Sequence, residues 1–264
     1  MPDFFKAEYQ QTGLSKKTDA YGMREMQQIA FKANSAQYLL IKAPPASGKS
    51  RALMFIALEK LKNQGIKKVI VAVPERNIGA SFKATNLMNG GFFADWNPNP
   101  HYNLCTSGSE KSKLSTFLEF LDSDEEILIC THATFRFACA EIDEKQLNDC
   151  LIAIDEFHHV SADGENRLGE VIKNIMAKSN AHIIAMTGSY FRGDNIPVLL
   201  PEDEIKFTKV TYNYYQQLNG YEYLKSLGIG YHFYTGRYFK KPFDKNMSAL
   251  EEILDVTKKT IIHL

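Results

Sequence analysis

The sequence predicts an α/β domain, a mostly parallel sheet with helices on both faces. Three observations predict it. Short apolar runs alternate with amphipathic helical stretches from Tyr38 to Met186. The runs are continuously apolar rather than alternating, so both faces of each strand are buried. Each unusual polar cluster falls just after such a run, at the carboxyl end of a strand, where sheets of this kind bind ligands.

The elements follow in order. Tyr38 to Ala43 (YLLIKA) is a buried strand that runs into a Pro/Gly/Ser loop. A helix follows, with Leu53, Met54, Ala57, Leu58 and Leu61 on one face and Gly65 placed to cap its C-terminus. Lys68 to Val73 is the second strand, and Ile78 to Met88 is predicted as a helix. Asn103 to Thr106 is a short strand. Lys111 to Asp122 is a helix with Leu114, Phe117, Leu118 and Leu121 aligned. Glu126 to Cys130 and Leu151 to Ile154 are strands. Asn166 to Ala177 is a helix, His182 to Met186 a strand, and Tyr214 to Leu227 a helix stopped by Gly228.

Composition narrows the class. The chain has 264 residues, 44% of them hydrophobic and 23% charged, which suits an ordinary globular domain with a sizeable core. Lys plus Arg and Asp plus Glu are both 31, so the net charge is zero and no blanket basic surface is available for nucleic acid. The sequence shows neither a membrane-spanning apolar run nor a signal peptide at Met1 to Lys6. The four cysteines are scattered without a CxxC pair, which reads as reduced, buried thiols in a cytoplasmic protein.

Ala43-Pro44-Pro45-Ala46-Ser47-Gly48-Lys49-Ser50 lies between a strand and a helix, the context a phosphate-binding loop requires. Backbone N–H groups of the loop (Ala46, Ser47) and of the helix N-terminus point at phosphates. Gly48 lets the backbone approach closely. Lys49 reaches the β- and γ-phosphates of ATP, and the Ser50 hydroxyl ligates Mg²⁺. The first glycine of the usual pattern is replaced by Ala43.

Leu151 to Ile154 delivers two adjacent carboxylates, Asp155 and Glu156, followed by Phe157 and His158. Asp155 is the candidate Mg²⁺ ligand, and Glu156 the group that positions and polarises an attacking water. His158 and His159 have no Cys/His partners at zinc spacing. His158 is placed in a coupling role at the edge of the nucleotide site.

These residues resemble the superfamily 2 helicases and translocases, and within them the DExH-type motors grouped with restriction-enzyme motor subunits. The resemblance covers roughly residues 20 to 190, and the box here reads DEFH. It implies a RecA-like P-loop NTPase domain. Arg24-Glu25-Met26-Gln27 resembles the R-x-x-Q adenine-recognition motif, which makes Arg24 and Gln27 candidate nucleotide contacts; a glutamine amide both donates to and accepts from the adenine edge. Pro74 to Asn77 looks like motif Ia and Thr131 to Phe135 like motif Ib. Arg76, Thr131 and Thr134 are the candidate contacts to a sugar-phosphate backbone. Thr187-Gly188-Ser189 resembles motif III, which couples nucleotide state to nucleic-acid binding in that family.

Motors of this kind place ATP between two RecA-like domains, the second supplying arginines. No such second motif is visible. The resemblance therefore divides the chain into an N-terminal RecA-like ATP-binding domain at 1–206, a tyrosine-rich extension or linker at 207–257, and the start of a truncated second RecA-like domain at 258–264. The tyrosines from Tyr212 to Tyr238 read as core or interface residues ahead of base-stacking ones. The implied partners are nucleic acid, with DNA ranked ahead of RNA, and the second domain of the same longer chain; no membrane is implied. The alternatives are a P-loop ATPase with a client other than nucleic acid, and an ATP-binding interaction module.

Overall fold

The computed structural model describes residues 5–7, 18–106, 108–157, 167–188, 201–218 and 227–229. The chain divides into two compact units, one built from residues 11–224 and the other from residues 1–10 with 225–264.

In the larger unit the apolar runs form the strands of one sheet. β2 is Tyr38–Lys42, β3 Lys68–Val73, β4 Ile127–Thr131, β5 Cys150–Ile154, β6 His182–Thr187 and β7 Thr208–Thr211. Their order across the sheet is β4-β3-β5-β6-β2-β7, and every neighbouring pair is parallel. Every residue of β4 and β5 is buried, which accounts for the unbroken apolar runs. The sheet continues past the boundary expected at 206, because β7 pairs with β2 from Leu39↔Thr208 to Lys42↔Thr211.

Alternate strand residues feed two separate cores. Leu39, Ile41, Val69, Val71, Ile184 and Met186 pack against α1 (Glu25–Phe31), α2 (Lys49–Asn63) and the segment around Trp96. Leu40, Ile70, Ala72, Ile152, Ile154 and Ala185 pack against α3 (Glu110–Asp122), α4 (His132–Glu141) and α5 (Arg167–Lys178). Each fully buried Val, Leu or Ile contributes about 1.5–3 kcal/mol, so both faces are firmly held. Helices therefore cover both faces, as the sequence predicts.

Several expectations are corrected. Ile78 to Met88 is not an α-helix: a 3₁₀ segment spans Arg76–Phe82, and a short one Met88–Gly90. Trp96 explains the interruption. Its indole donates to Phe82 O at 2.8 Å and its backbone bridges Thr85, while Asp95 accepts from the Leu87 and Met88 amides. Asn103 to Thr106 makes only a single bridge, Asn103↔Ile129, because the Asn103 side chain accepts from the Cys105 amide and turns the chain. The helix predicted to run from Tyr214 is described only as α7 (Tyr214–Leu218), after the single turn α6 (Pro201–Glu204). Gly228 is not its cap. It lies in β8 (Leu227–Ile229), which pairs antiparallel with β1 (Phe5–Ala7) in the smaller unit.

Gly65 does end α2, at φ 76°, with the Ile66 amide donating to Lys60 O at 3.2 Å. The four cysteines are unpaired, and Cys130 and Cys150 are buried. Among the described residues no helix is long and apolar enough to cross a membrane. Tyr212 is buried and its hydroxyl donates to Glu25 and to Gln216 O, whereas Tyr214 and Tyr215 are exposed. The tyrosines beyond them, and residues 258–264, lie outside the described residues.

Candidate nucleotide site

The parallel register brings five strand ends to one edge. Lys42 pairs with Thr187, Val73 with Thr131, and Ala72 with Ile154, so the loops after β2, β3, β4, β5 and β6 emerge side by side. Two further bonds lock them together. The Ala43 amide donates to Thr187 O at 3.1 Å, and the Asp155 amide to Ala72 O at 2.9 Å.

The loop from Ala43 to Ser50 wraps the start of α2. Ala46 and Gly48 take left-handed backbone angles, φ 60° and 95°. Gly48 is the N-cap of α2 and offers no side chain to satisfy the first amides of the helix; no acidic residue lies in the first turn either. Those N–H groups are donors that an anion can take up. The Ser47 hydroxyl is buried with no hydrogen-bond partner. Lys49 is buried and its ammonium donates to Ala43 O and Pro44 O at 3.0 and 3.2 Å. Burial holds its pKa below the usual lysine value, against the pull of Glu156 and Asp155.

Across the cleft stands the acidic pair. Asp155 is buried, and burial together with the neighbouring Glu156 pushes its carboxyl up to about 6, against the Glu156 amide that its Oδ1 accepts and the charge of Lys49. Glu156 has φ 47°, a conformation that costs a non-glycine residue about 1–3 kcal/mol and is met at functional sites. Its Oε2 accepts from the Gly188 amide at 3.3 Å, which ties the end of β5 to the end of β6. Pro45, Ala46, Gly48, Lys49, Ser50, Asp155 and Glu156 thus line one cleft of about 560 Å³, within the range of small-molecule sites.

Two crowded carboxylates beside one lysine suit a divalent cation. Ser50 and Asp155 both line the cleft, and Mg²⁺ needs few protein ligands when phosphate oxygens complete its shell. The orphaned Ser47 hydroxyl and the uncapped helix amides suit a phosphate. The residues present therefore fit Mg²⁺ and a nucleotide polyphosphate.

Gln27 is buried on α1, directly behind the loop. Its Oε1 accepts from the Arg24 amide at 2.8 Å and its Nε2 donates to Gly48 O at 3.2 Å. Arg24 itself is exposed at the N-cap of α1. Arg76 and Thr131 meet in a second cleft of about 530 Å³, lined also by Pro74, Glu75, Asn77 and Ala133. Thr134 does not line it: its side chain is buried, and its amide and hydroxyl bond the Thr131 hydroxyl that caps α4. Thr187 is buried, and Gly188 lies where an added Cβ would stand 3.4 Å from the Lys49 ammonium. His158 and Ser189 lie outside the described residues.

Three contacts escaped the sequence reading. Gln217 on α7 donates to Pro45 O at 3.0 Å and braces the loop from behind. The His132 ring bonds Asp155 O at 3.0 Å, joining the start of α4 to the acidic pair. Arg51 lines the same cleft as Lys49 and Asp155, beside Ser50. Arg51 carried a signal as the residue next to the loop pattern, and His132 as a member of the Thr131 to Phe135 segment; Gln217 carried none.

The chain is similar to known proteins in sequence and in fold. The chain is 60% identical, over all 264 residues, to the "Putative ATP-dependent helicase YeeB" of Bacillus subtilis (strain 168), and spans 43% of that relative's length. The Pyrococcus furiosus Hef helicase domain superposes with a TM-score of 0.51 at 19% identity, covering 78% of this chain and 41% of that one; this likeness concerns the fold. Residues 8–192 match the family described as type III restriction enzyme, res subunit, and the chain belongs to that family.

Proposed function

We propose that this chain is the ATP-binding part of a nucleic-acid-dependent ATPase motor, a helicase or translocase. One observation carries the reading: a phosphate loop ending in Gly48-Lys49-Ser50, with no side-chain cap on its helix, and an Asp-Glu pair line a single cleft at the carboxyl edge of a parallel sheet. The match to a restriction-enzyme subunit family and the likeness to a helicase relative support it.

In this reading Lys49 neutralises the β- and γ-phosphates. Ser50 and Asp155 hold Mg²⁺, whose charge offsets that of the phosphates. Glu156, fixed by the Gly188 amide, orients the attacking water and accepts its proton. Gln27 keeps one N–H and one oxygen lone pair for adenine after its two internal bonds, since a primary amide has two of each. Arg24 stands at the same helix start. Ala46, Ser47 and Gly48 supply the phosphate cradle. Thr187 and Gly188, with His158 and Ser189, couple nucleotide state to the track.

The second cleft is the candidate track site, with Arg76 and Thr131 facing a sugar-phosphate backbone. DNA ranks ahead of RNA as that track. Thr134 supports this cleft from within. The second RecA-like domain, with its arginines, belongs to a longer protein, and the proposed layout of this chain is 1–206 for the ATP-binding domain, 207–257 for an extension whose first strand, β7, joins that domain's sheet, and 258–264 for the onset of the second domain.

Titration of Mg-ATP into the 264-residue chain tests the reading. Saturable binding that Lys49→Ala weakens at least about tenfold is expected, as for loss of a charge-assisted contact. Equal binding by both proteins removes Lys49 from the phosphate site.

A further inference from the structure

Arg51 follows Ser50 on the first turn of α2 and lines the same cleft as Lys49, Asp155 and Glu156. An α-helix turns 100° per residue, so residues 49, 50 and 51 fan out over different parts of anything laid across the helix start. The Lys49 ammonium is on the side of Ala43, Pro44 and Gly188. Arg51 is on the side of Met54 and Phe55, three and four residues along, where its guanidinium carbon lies 5.8 Å from the centre of the Phe55 ring.

Two features separate Arg51 from an ordinary surface arginine. Its Nε is buried and has no hydrogen-bond partner, so an internal bond is not what orients it. The Phe55 ring, itself fully buried and edge-on to Phe92 at 4.7 Å, supports the guanidinium from below. The ionic balance of the cleft also calls for it. Asp155 and Glu156 together outnumber Lys49, and a polyphosphate adds further negative charge. Arg51 is the other cation lining that cleft among the described residues.

We infer that Arg51 is a further nucleotide-binding residue, which contacts the α-phosphate end of a nucleoside di- or triphosphate whose terminal phosphates lie at Lys49. The inference rests on the nucleotide reading of this cleft. A planar guanidinium held by a ring presents several parallel N–H donors to a phosphate, which a lysine does not reproduce.

The test is Mg-ATP and Mg-ADP binding to the wild-type chain, Arg51→Met and Arg51→Lys. Methionine keeps the packing on Phe55 and removes the charge. Arg51→Met is expected to lose roughly tenfold in affinity for ATP and ADP alike, and Arg51→Lys to lose less for both. Urea midpoints for all three proteins establish that they fold; if the methionine variant does not, the equal loss for the two nucleotides is read from Arg51→Lys. Unchanged affinity in a wild-type chain that binds both nucleotides overturns the Arg51 assignment alone. A loss confined to ATP also overturns it, because that pattern belongs to a contact with the terminal phosphate. A wild-type chain that binds neither nucleotide overturns the reading of the cleft itself.

Discussion

Replacing Gly48 by alanine probes the link between the phosphate loop and the helix behind it. Gly48 has φ 95°, and a Cβ there would stand 2.6 Å from Gln27 Nε2. The left-handed backbone costs an L-residue roughly 1–2 kcal/mol. The Gln27 amide must also move, giving up its bonds to Arg24 N and Gly48 O at about 1 kcal/mol each. Gly48→Ala should therefore destabilise the chain by about 3–4 kcal/mol in urea denaturation, with weaker Mg-ATP binding. Gln27→Ala alone removes the same two bonds and should cost about 2 kcal/mol. The double variant keeps the backbone strain and loses those bonds only once. Its cost should match that of Gly48→Ala, about 2 kcal/mol short of the sum of the single changes. Additivity within about 0.5 kcal/mol, or a Gly48→Ala protein as stable as wild type, would refute the reasoning.

Two further predictions concern turnover and pH. The isolated 264-residue chain should bind Mg-ATP yet hydrolyse it very slowly, because an arginine supplied from elsewhere is worth about 10³–10⁵ in rate; fast, saturable hydrolysis by this chain in a steady-state assay would show its site to be complete. Stability should fall in mild acid through His182. Burial first, and then the Lys60 ammonium that donates to its Nδ1 at 2.8 Å, hold the His182 pKa at about 4. The unfolded chain takes up that proton first, so the contribution is intact above about 6.5 and is lost as pH falls toward 4. For a half-buried ring the loss should be about 1–2 kcal/mol after solvent screening. Urea midpoints between pH 7 and 4 measure it, and His182→Gln should flatten the decline; an unaltered slope in that variant would assign the acid sensitivity to other groups.

What the sequence made legible and what it hid have physical causes. β2 to β6 were readable because strands buried on both faces must be continuously apolar. β7 was not, since an edge strand of sequence Thr-Lys-Val-Thr buries only Val210. α4 was hidden because Thr131 both ends β4 and caps the helix, so no polar gap separates them. The 3₁₀ segment Arg76–Phe82 depends on Trp96, a contact that no local periodicity reveals. In the site, the loop and the Asp-Glu pair are contiguous motifs and were legible as such. Their supports were not. Gln217 reaches Pro45 from 172 positions away, and His132 reaches Asp155 from 23. Gln27 is a candidate adenine contact by its motif; the bond it makes in the structure, holding Gly48, is not legible there.

The most direct test of the motor reading is ATP hydrolysis by the longest natural form of this protein, with and without single- and double-stranded DNA and RNA. The account predicts strong stimulation by one of them, abolished by Glu156→Gln while Mg-ATP binding survives. Hydrolysis indifferent to every nucleic acid, or retained in Glu156→Gln, would contradict it, the first result removing the track and the second the water-orienting role of Glu156.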